Sequence, residues 1–205
     1  MDKKNRAVKK GQQKIRTGDF LLLLLYAYNK TPIKGKTRLQ KTAFLFEKEV
    51  LKKYRLNNVE FNFEFEAYDY GPFSKKLMDF VDLFKNLNLI EIKSEQIEEE
   101  SEDEKIFMND LLQVEDTEWR ENFEDAEILG QPIYRITKKG IHYIEKKNIW
   151  GSLTEEQKDA IESLKKFCVE TSLKIILKYI YTKHSDWAKN SKIKKKILKE
   201  TECIG

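Results

Sequence analysis

From Phe61 to Tyr68 apolar and polar residues alternate (Phe61-Asn62-Phe63-Glu64-Phe65-Glu66-Ala67-Tyr68), whereas from Phe73 onward the apolar residues recur every three to four positions. A period of two belongs to a half-buried strand, and a period near 3.6 to an amphipathic helix. The change falls on Tyr70-Gly71-Pro72-Phe73-Ser74, so a strand is expected to end there and a helix to begin. Gly71 has no Cβ and takes the angles of a sharp corner, while Pro72 presets φ for a first helical turn. The spacing turns Phe61, Phe63 and Phe65 inward and Asn62, Glu64 and Glu66 outward. It predicts a helix over 73–87 that buries Phe73, Leu77, Phe80, Val81, Phe84 and Leu87.

The same logic orders the flanks. Asp19 stands as an N-cap before the apolar run Phe20 to Tyr28, which predicts a buried first helix reaching about Asn29. Breakers between Thr31 and Lys36 end it. A second helix follows from near Thr37, its apolar stripe made of Leu39, Ala43, Phe46, Val50 and Tyr54, with Lys41, Lys48 and Lys52 on a wet basic face. Leu89 to Ile92 and the group Ile133, Tyr134 and Ile136 read as two short strands, and Thr137 as the cap of a helix carrying Ile141 and Ile144. Helices, aromatic strand, helix and paired strands together give an α+β expectation: a winged-helix domain over 17–148.

Between 95 and 127 the composition turns acidic, forming an insertion in the wing. Ile106, Phe107, Met108, Leu111, Leu112 and Trp119 lie within it, too apolar a set for a solvated spacer, and this favours docking on a partner. Residues 149–205 form a C-terminal helical extension. Thr154 and Gln157 have capping-box spacing; Ile161, Leu164 and Phe167, then Leu173, Ile176, Leu177 and Ile180, make apolar stripes; and a lysine-rich last helix starts at Asp186. Residues 1–16 read as a basic disordered arm.

The 205 residues hold Lys+Arg 39 against Asp+Glu 35, so the net charge is only +4 and its distribution matters more than its total. The basic arm and apolar run imitate a secretory signal. However, the run falls short of the roughly 20 residues that cross a bilayer, and no small-residue cleavage pattern follows, so a cytoplasmic protein without a membrane partner is expected. Cys168 and Cys203 make no disulfide framework, and neither they nor His142 and His184 have metal-ligand spacing. Without a phosphate-cradling glycine loop or a nucleophile elbow, the expectation is no enzyme, no catalytic residue, no metal and no cofactor.

Three segments carry a family resemblance: Thr37-Arg38-Leu39-Gln40-Lys41, Tyr70-Gly71-Pro72-Phe73-Ser74 and Tyr134-Arg135-Ile136-Thr137-Lys138-Lys139-Gly140. In that order the chain from about Asp19 to Lys147, without the insertion, resembles the SocA-like antitoxin (Panacea) proteins and related phage-associated winged-helix proteins. The resemblance implies a non-enzymatic protein that neutralises a toxin or serves in phage defence by gripping another protein.

The partner-binding candidates are the aromatics Tyr68, Tyr70, Phe73 and Trp119, because aromatic side chains concentrate at binding hot spots. The alternative is a DNA-binding regulator that uses Lys34, Lys36, Arg38, Lys41, Lys75, Lys76, Lys138 and Lys139, since lysines and helix N-termini attract phosphate. On the predicted helix over 73–87 the outward set would be Ser74, Lys75, Lys76, Asp79, Asp82, Lys85 and Asn86, whose aspartates oppose phosphate. A nuclease, resting on Glu64 and Glu66, ranks third. A homodimer remains compatible with the amphipathic C-terminal helices.

Overall fold

The computed structural model describes residues 15–54, 62–95 and 131–199. The basic arm up to residue 14, the insertion after Glu95, Trp119 and Cys203 lie outside the described residues. Seven α-helices and two small antiparallel sheets make an α+β fold among them.

Helix α1 (Thr17–Tyr26) is buried from Gly18 through Leu25, as its unbroken apolar run requires. Asp19 is not its N-cap. It occupies the third helical position and reaches back, its Oδ2 accepting from the Arg16 N–H at 2.8 Å while Oδ1 accepts from the Tyr143 hydroxyl at 2.9 Å. The helix stops abruptly because Tyr28, Asn29 and Lys30 all take positive φ (50°, 53° and 60°), which L-residues adopt only at a cost. That end is held from outside: Glu162 accepts from the Tyr28 N–H at 2.6 Å, and the Lys165 ammonium donates to the Leu24 carbonyl at 2.5 Å.

After strand β1 (Ile33–Lys34), helix α2 (Lys36–Leu45) runs on into a π-helical turn at Phe46–Leu51. Leu39, Ala43, Phe46 and Val50 are buried, as their spacing indicates. The aromatic segment also alternates as expected, Phe63 and Phe65 inward and Asn62, Glu64 and Glu66 outward. Regular strand is nevertheless confined to β2 (Glu66–Tyr68), since Glu64 has φ of 56°.

The corner differs from its sequence reading. Gly71–Phe73 is a second strand, β3, paired back on β2 in the register Glu66↔Phe73, Ala67↔Pro72 and Tyr68↔Gly71. The corner is therefore the return of a hairpin, and helix α3 (Lys75–Asn86) begins after it, capped by Ser74, whose hydroxyl accepts from the Leu77 N–H at 2.9 Å. Pro72 fits β3 because this two-stranded ribbon leaves it an edge position. Gly71 has φ of 83°, and a Cβ there would lie 2.8 Å from the Tyr181 ring.

Strands β4 (Ile90–Glu95) and β5 (Gln131–Ile136) pair antiparallel, and β1 adds to the other edge of β5 in the order β1-β5-β4. Helix α4 (Lys138–Lys146) follows, with Thr137 accepting from the Gly140 N–H at 3.1 Å. A Cβ on Gly140 would stand 2.2 Å from the Leu89 carbonyl oxygen, so only glycine lets α4 approach the start of β4.

Helices α5 (Glu155–Glu170) and α6 (Leu173–Lys183) pack on α2 and share its buried cluster. The capping box of Thr154 and Gln157 is formed, with bonds of 3.0 and 3.2 Å. The expected last helix is broken: a 3-10 turn at Ser185–Ala188 precedes a short helix α7 (Lys194–Lys199). No described helix is long and apolar enough to cross a membrane.

Candidate functional site

The first two resemblance motifs meet in the interior. Gln40 on α2 clasps the backbone of Ser74 from both sides, its Nε2 donating to the Ser74 carbonyl and its Oε1 accepting from the Ser74 N–H, each at 2.9 Å. One turn position along, Lys41 is only 2% exposed and donates from Nζ to the Pro72 carbonyl at 3.0 Å. The Ser74 hydroxyl also donates to the Phe63 carbonyl. Leucine-glutamine-lysine and tyrosine-glycine-proline are thus two halves of a clamp that ties α2 to β3 and sets the start of α3.

This clamp corrects several surface assignments. Lys41 does not lie on a wet basic face and cannot meet a phosphate; burial drops its ammonium from the usual 10.5 to about 7. Ser74 is fully buried and so leaves the outward set of α3. Tyr70, at 2% exposed, belongs to the core rather than to an interface. Arg38 directs Nη1 to the carbonyls of Cys168 and Thr171 at 2.7 and 2.5 Å, bracing the end of α5.

The other basic candidates begin helices. Lys36 opens α2, Lys75 and Lys76 open α3, and Lys138 and Lys139 open α4, none of which has an acid in its first turn. Lys34 is exposed at the end of β1. Lys76 is paired with Glu64 at 2.5 Å, and Lys139 donates to the Leu87 carbonyl at 2.9 Å. Among the aromatic candidates Tyr68 and Phe73 are half-buried and stack on each other across the hairpin at 5.7 Å.

The outer face of α3 carries Lys75, Asp79, Asp82, Lys85 and Asn86, all exposed as expected. It also carries two leucines that the sequence does not place there: Leu83 is 48% exposed and Leu87, expected inward, is 46% exposed. They stand one helical turn apart, so they form one apolar spot beside Asp79 and Asp82.

A second arrangement was invisible in the sequence because its parts are some 130 residues apart. Glu49, in the π-helical turn after α2, receives the Tyr179 hydroxyl at 2.9 and 3.0 Å, His184 Nε2 at 3.0 Å and Lys183 Nζ at 3.1 Å. Lys183 also donates to the Tyr179 oxygen at 2.6 Å. Burial alone would raise the Glu49 pKa, but the bonds from His184, Tyr179 and Lys183, with the Lys183 charge, outweigh it and hold the carboxyl below its ordinary value. Such π-turns recur at functional positions. The Tyr179 and Lys183 spacing of four is the sole sequence signal of this cluster.

Catalytic constellations are otherwise sparse. Glu64 and Glu66 are exposed, and His142 is exposed on α4. Among the described residues no group of three His, Cys, Asp or Glu side chains is placed to hold a metal ion. Cys168 is fully buried, and that burial pushes its thiol up to about 11, where it is inert toward oxidants and electrophiles. No family model, curated protein or solved structure matches the chain.

Proposed function

We propose that this chain is a non-enzymatic winged-helix protein, antitoxin-like or associated with phage defence, that acts by gripping another protein through the outer face of α3. The winged-helix reading is supported by the order α1-β1-α2-α3-β4-β5 with strand order β1-β5-β4, the hairpin β2–β3 being inserted between α2 and α3. In that architecture α3 occupies the position of a recognition helix.

The observation that carries the protein-binding reading is the pairing of Leu83 and Leu87 with Asp79 and Asp82 on that face. Against DNA this face would bury leucines on a polar backbone and press carboxylates toward phosphates. Against a protein with an apolar centre and a basic rim, the leucines bury surface worth about 25 cal/mol per Å² and the aspartates find counter-ions. Affinity purification of the tagged full chain at moderate salt tests this. A stoichiometric protein that co-elutes upholds the reading, and recovery of nucleic acid alone refutes it.

A DNA-binding regulator is the second reading, and one observation favours it: Lys36, Lys75 and Lys138 each open a helix whose first turn holds no acid. Lysine at a helix N-terminus opposes the helix dipole but reinforces an anion site. Affinity for duplex DNA that falls steeply with salt would establish it.

A further inference from the structure

The C-terminal part of the chain gathers positive charge that neither the clamp nor α3 uses. From Leu173 to Lys199 there are nine lysines and a single acid, Asp186, and reading on to Gly205 adds only Glu200 and Glu202. In a chain whose net charge is only +4, a block so one-sided creates a local positive field that attracts polyanions. We infer that the lysines of α7 and of the turns that lead into it bind the phosphate backbone of duplex nucleic acid, without regard to base sequence. The inference is independent of what α3 grips.

Packing decides which lysines are offered. Ala188, Ile193 and Ile197 are buried, and Lys189, Lys192, Lys195 and Lys196 are exposed along the same stretch. That stretch is tied down. Asn190 Nδ2 donates to the Ala67 carbonyl at 2.8 Å, the Lys192 N–H donates to the Asp69 carbonyl at 2.8 Å, and the Ser191 hydroxyl donates to the Tyr181 oxygen at 2.9 Å. Trp187 anchors its near end, packed edge to face on Phe44 at 5.3 Å. A backbone held in this way needs no further ordering when a ligand arrives, so the cost of binding falls on the lysine side chains alone.

The acids that meet this part of the chain are already matched. Lys183 pairs with Glu49 at 3.1 Å and Lys192 with Asp69 at 2.9 Å. Lys189 and Lys195 have no ion pair among the described residues, so the surface keeps a positive excess. The kind of polyanion follows from what the surface lacks. Ile193 and Ile197 are 4% and 2% exposed, which leaves α7 no apolar stripe to enter a bilayer. Lysines supply point charges and no planar fork, a chemistry that suits a repeating row of phosphates better than one particular carboxylate. Duplex DNA offers such a row, with one charge per about 1.7 Å of its axis, denser than an acidic polypeptide can present.

Fluorescence anisotropy of the full chain with a DNA duplex and an RNA duplex of equal length, over a series of salt concentrations, tests this. The basic arm at 1–16 is a rival attraction, so what counts is affinity lost on substitution. Lys189→Gln, Lys195→Gln and Lys196→Gln together should weaken binding at least about tenfold at low salt and reduce the salt slope by about two to three units, with unchanged circular dichroism. The three arginine substitutions at the same positions keep the charges and should bind as the parent does. Stronger binding of DNA or of RNA identifies the source of the phosphates, and either upholds the surface. No binding of either duplex, equal affinity in the glutamine triple, or tighter binding of polyglutamate or of phosphatidylserine vesicles than of the duplexes would each overturn it. So would affinity lost instead on Lys36→Gln, Lys75→Gln and Lys138→Gln, which would move the phosphates to the helix starts.

Discussion

Lys165 is 0% exposed, and its ammonium contacts the Leu24 carbonyl at the end of α1; desolvation is the chief cause that lowers its pKa from 10.5 to about 7. Lys41 is lowered to about 7 for the same reason. Below pH 7 both folded and unfolded chains carry these protons, and the penalty of burying charge is complete. Between about 7 and 10.5 the unfolded chain binds more protons than the folded one, so stability rises with pH, and above 10.5 the penalty is gone. With those values each lysine adds roughly 2 kcal/mol of stability between pH 7 and about pH 9. Lys165→Met removes one of the two contributions. It also orphans the Leu24 carbonyl, a cost of about 1–3 kcal/mol that does not vary with pH. Urea unfolding at a series of pH values reads both effects, and subtracting the variant from the parent cancels every group they share. The variant should gain on the parent as pH falls, by roughly 2 kcal/mol over that interval. Parallel stability profiles would refute the claim that burial lowers the Lys165 pKa in the folded chain.

Four other perturbations probe the scaffold and the surface. Gln40→Ala leaves the Ser74 N–H and carbonyl without their clasp and should cost about 2–4 kcal/mol in urea unfolding, with the hairpin exchanging amide protons sooner. Gly140→Ala drives a Cβ against the Leu89 carbonyl and should lower stability by at least about 2 kcal/mol; a neutral result would mean that α4 sits further from β4. Tyr70→Ala should lower the thermal midpoint markedly, because the ring is buried; an unchanged midpoint would return Tyr70 to the surface. Lys41→Gln should leave any DNA affinity and its salt slope unchanged, whereas loss of about one unit of slope would mean that Lys41 reaches a phosphate.

Periodicity made the helices and the burial of the aromatic segment legible, because local pattern and tertiary packing agree there. Phe63 and Phe65 point inward even where Glu64 breaks the strand, since facing the core needs only an extended chain. The corner was misread because Gly-Pro fits the first turn of a helix and the return of a hairpin equally well at the local level. What decides between them is Gln40, some 34 residues away, which holds Ser74 in place so that the helix starts after it. Lys41 and Ser74 looked like surface residues because charge and polarity say nothing of a buried carbonyl or N–H that needs a partner. Leu87 is exposed as the C-cap just past Asn86, the last residue of α3, a position that a helical period extended through it does not report. The cluster at Glu49 depends on the π-helical turn meeting the end of α6, and its residue types carry no motif.

The outer face of α3 is the centre of the functional account, and Leu83→Asp with Leu87→Asp addresses it directly. Both side chains are about half exposed, so the double variant should fold with an unchanged circular dichroism spectrum and nearly unchanged urea midpoint. The measurement is recovery of the co-purifying protein by the parent and by this variant under the same moderate salt. The account predicts a stoichiometric partner with the parent and a loss of at least about tenfold in affinity with the variant, as burying two carboxylates in an apolar interface demands. Equal recovery by both would contradict it and move the binding surface off α3.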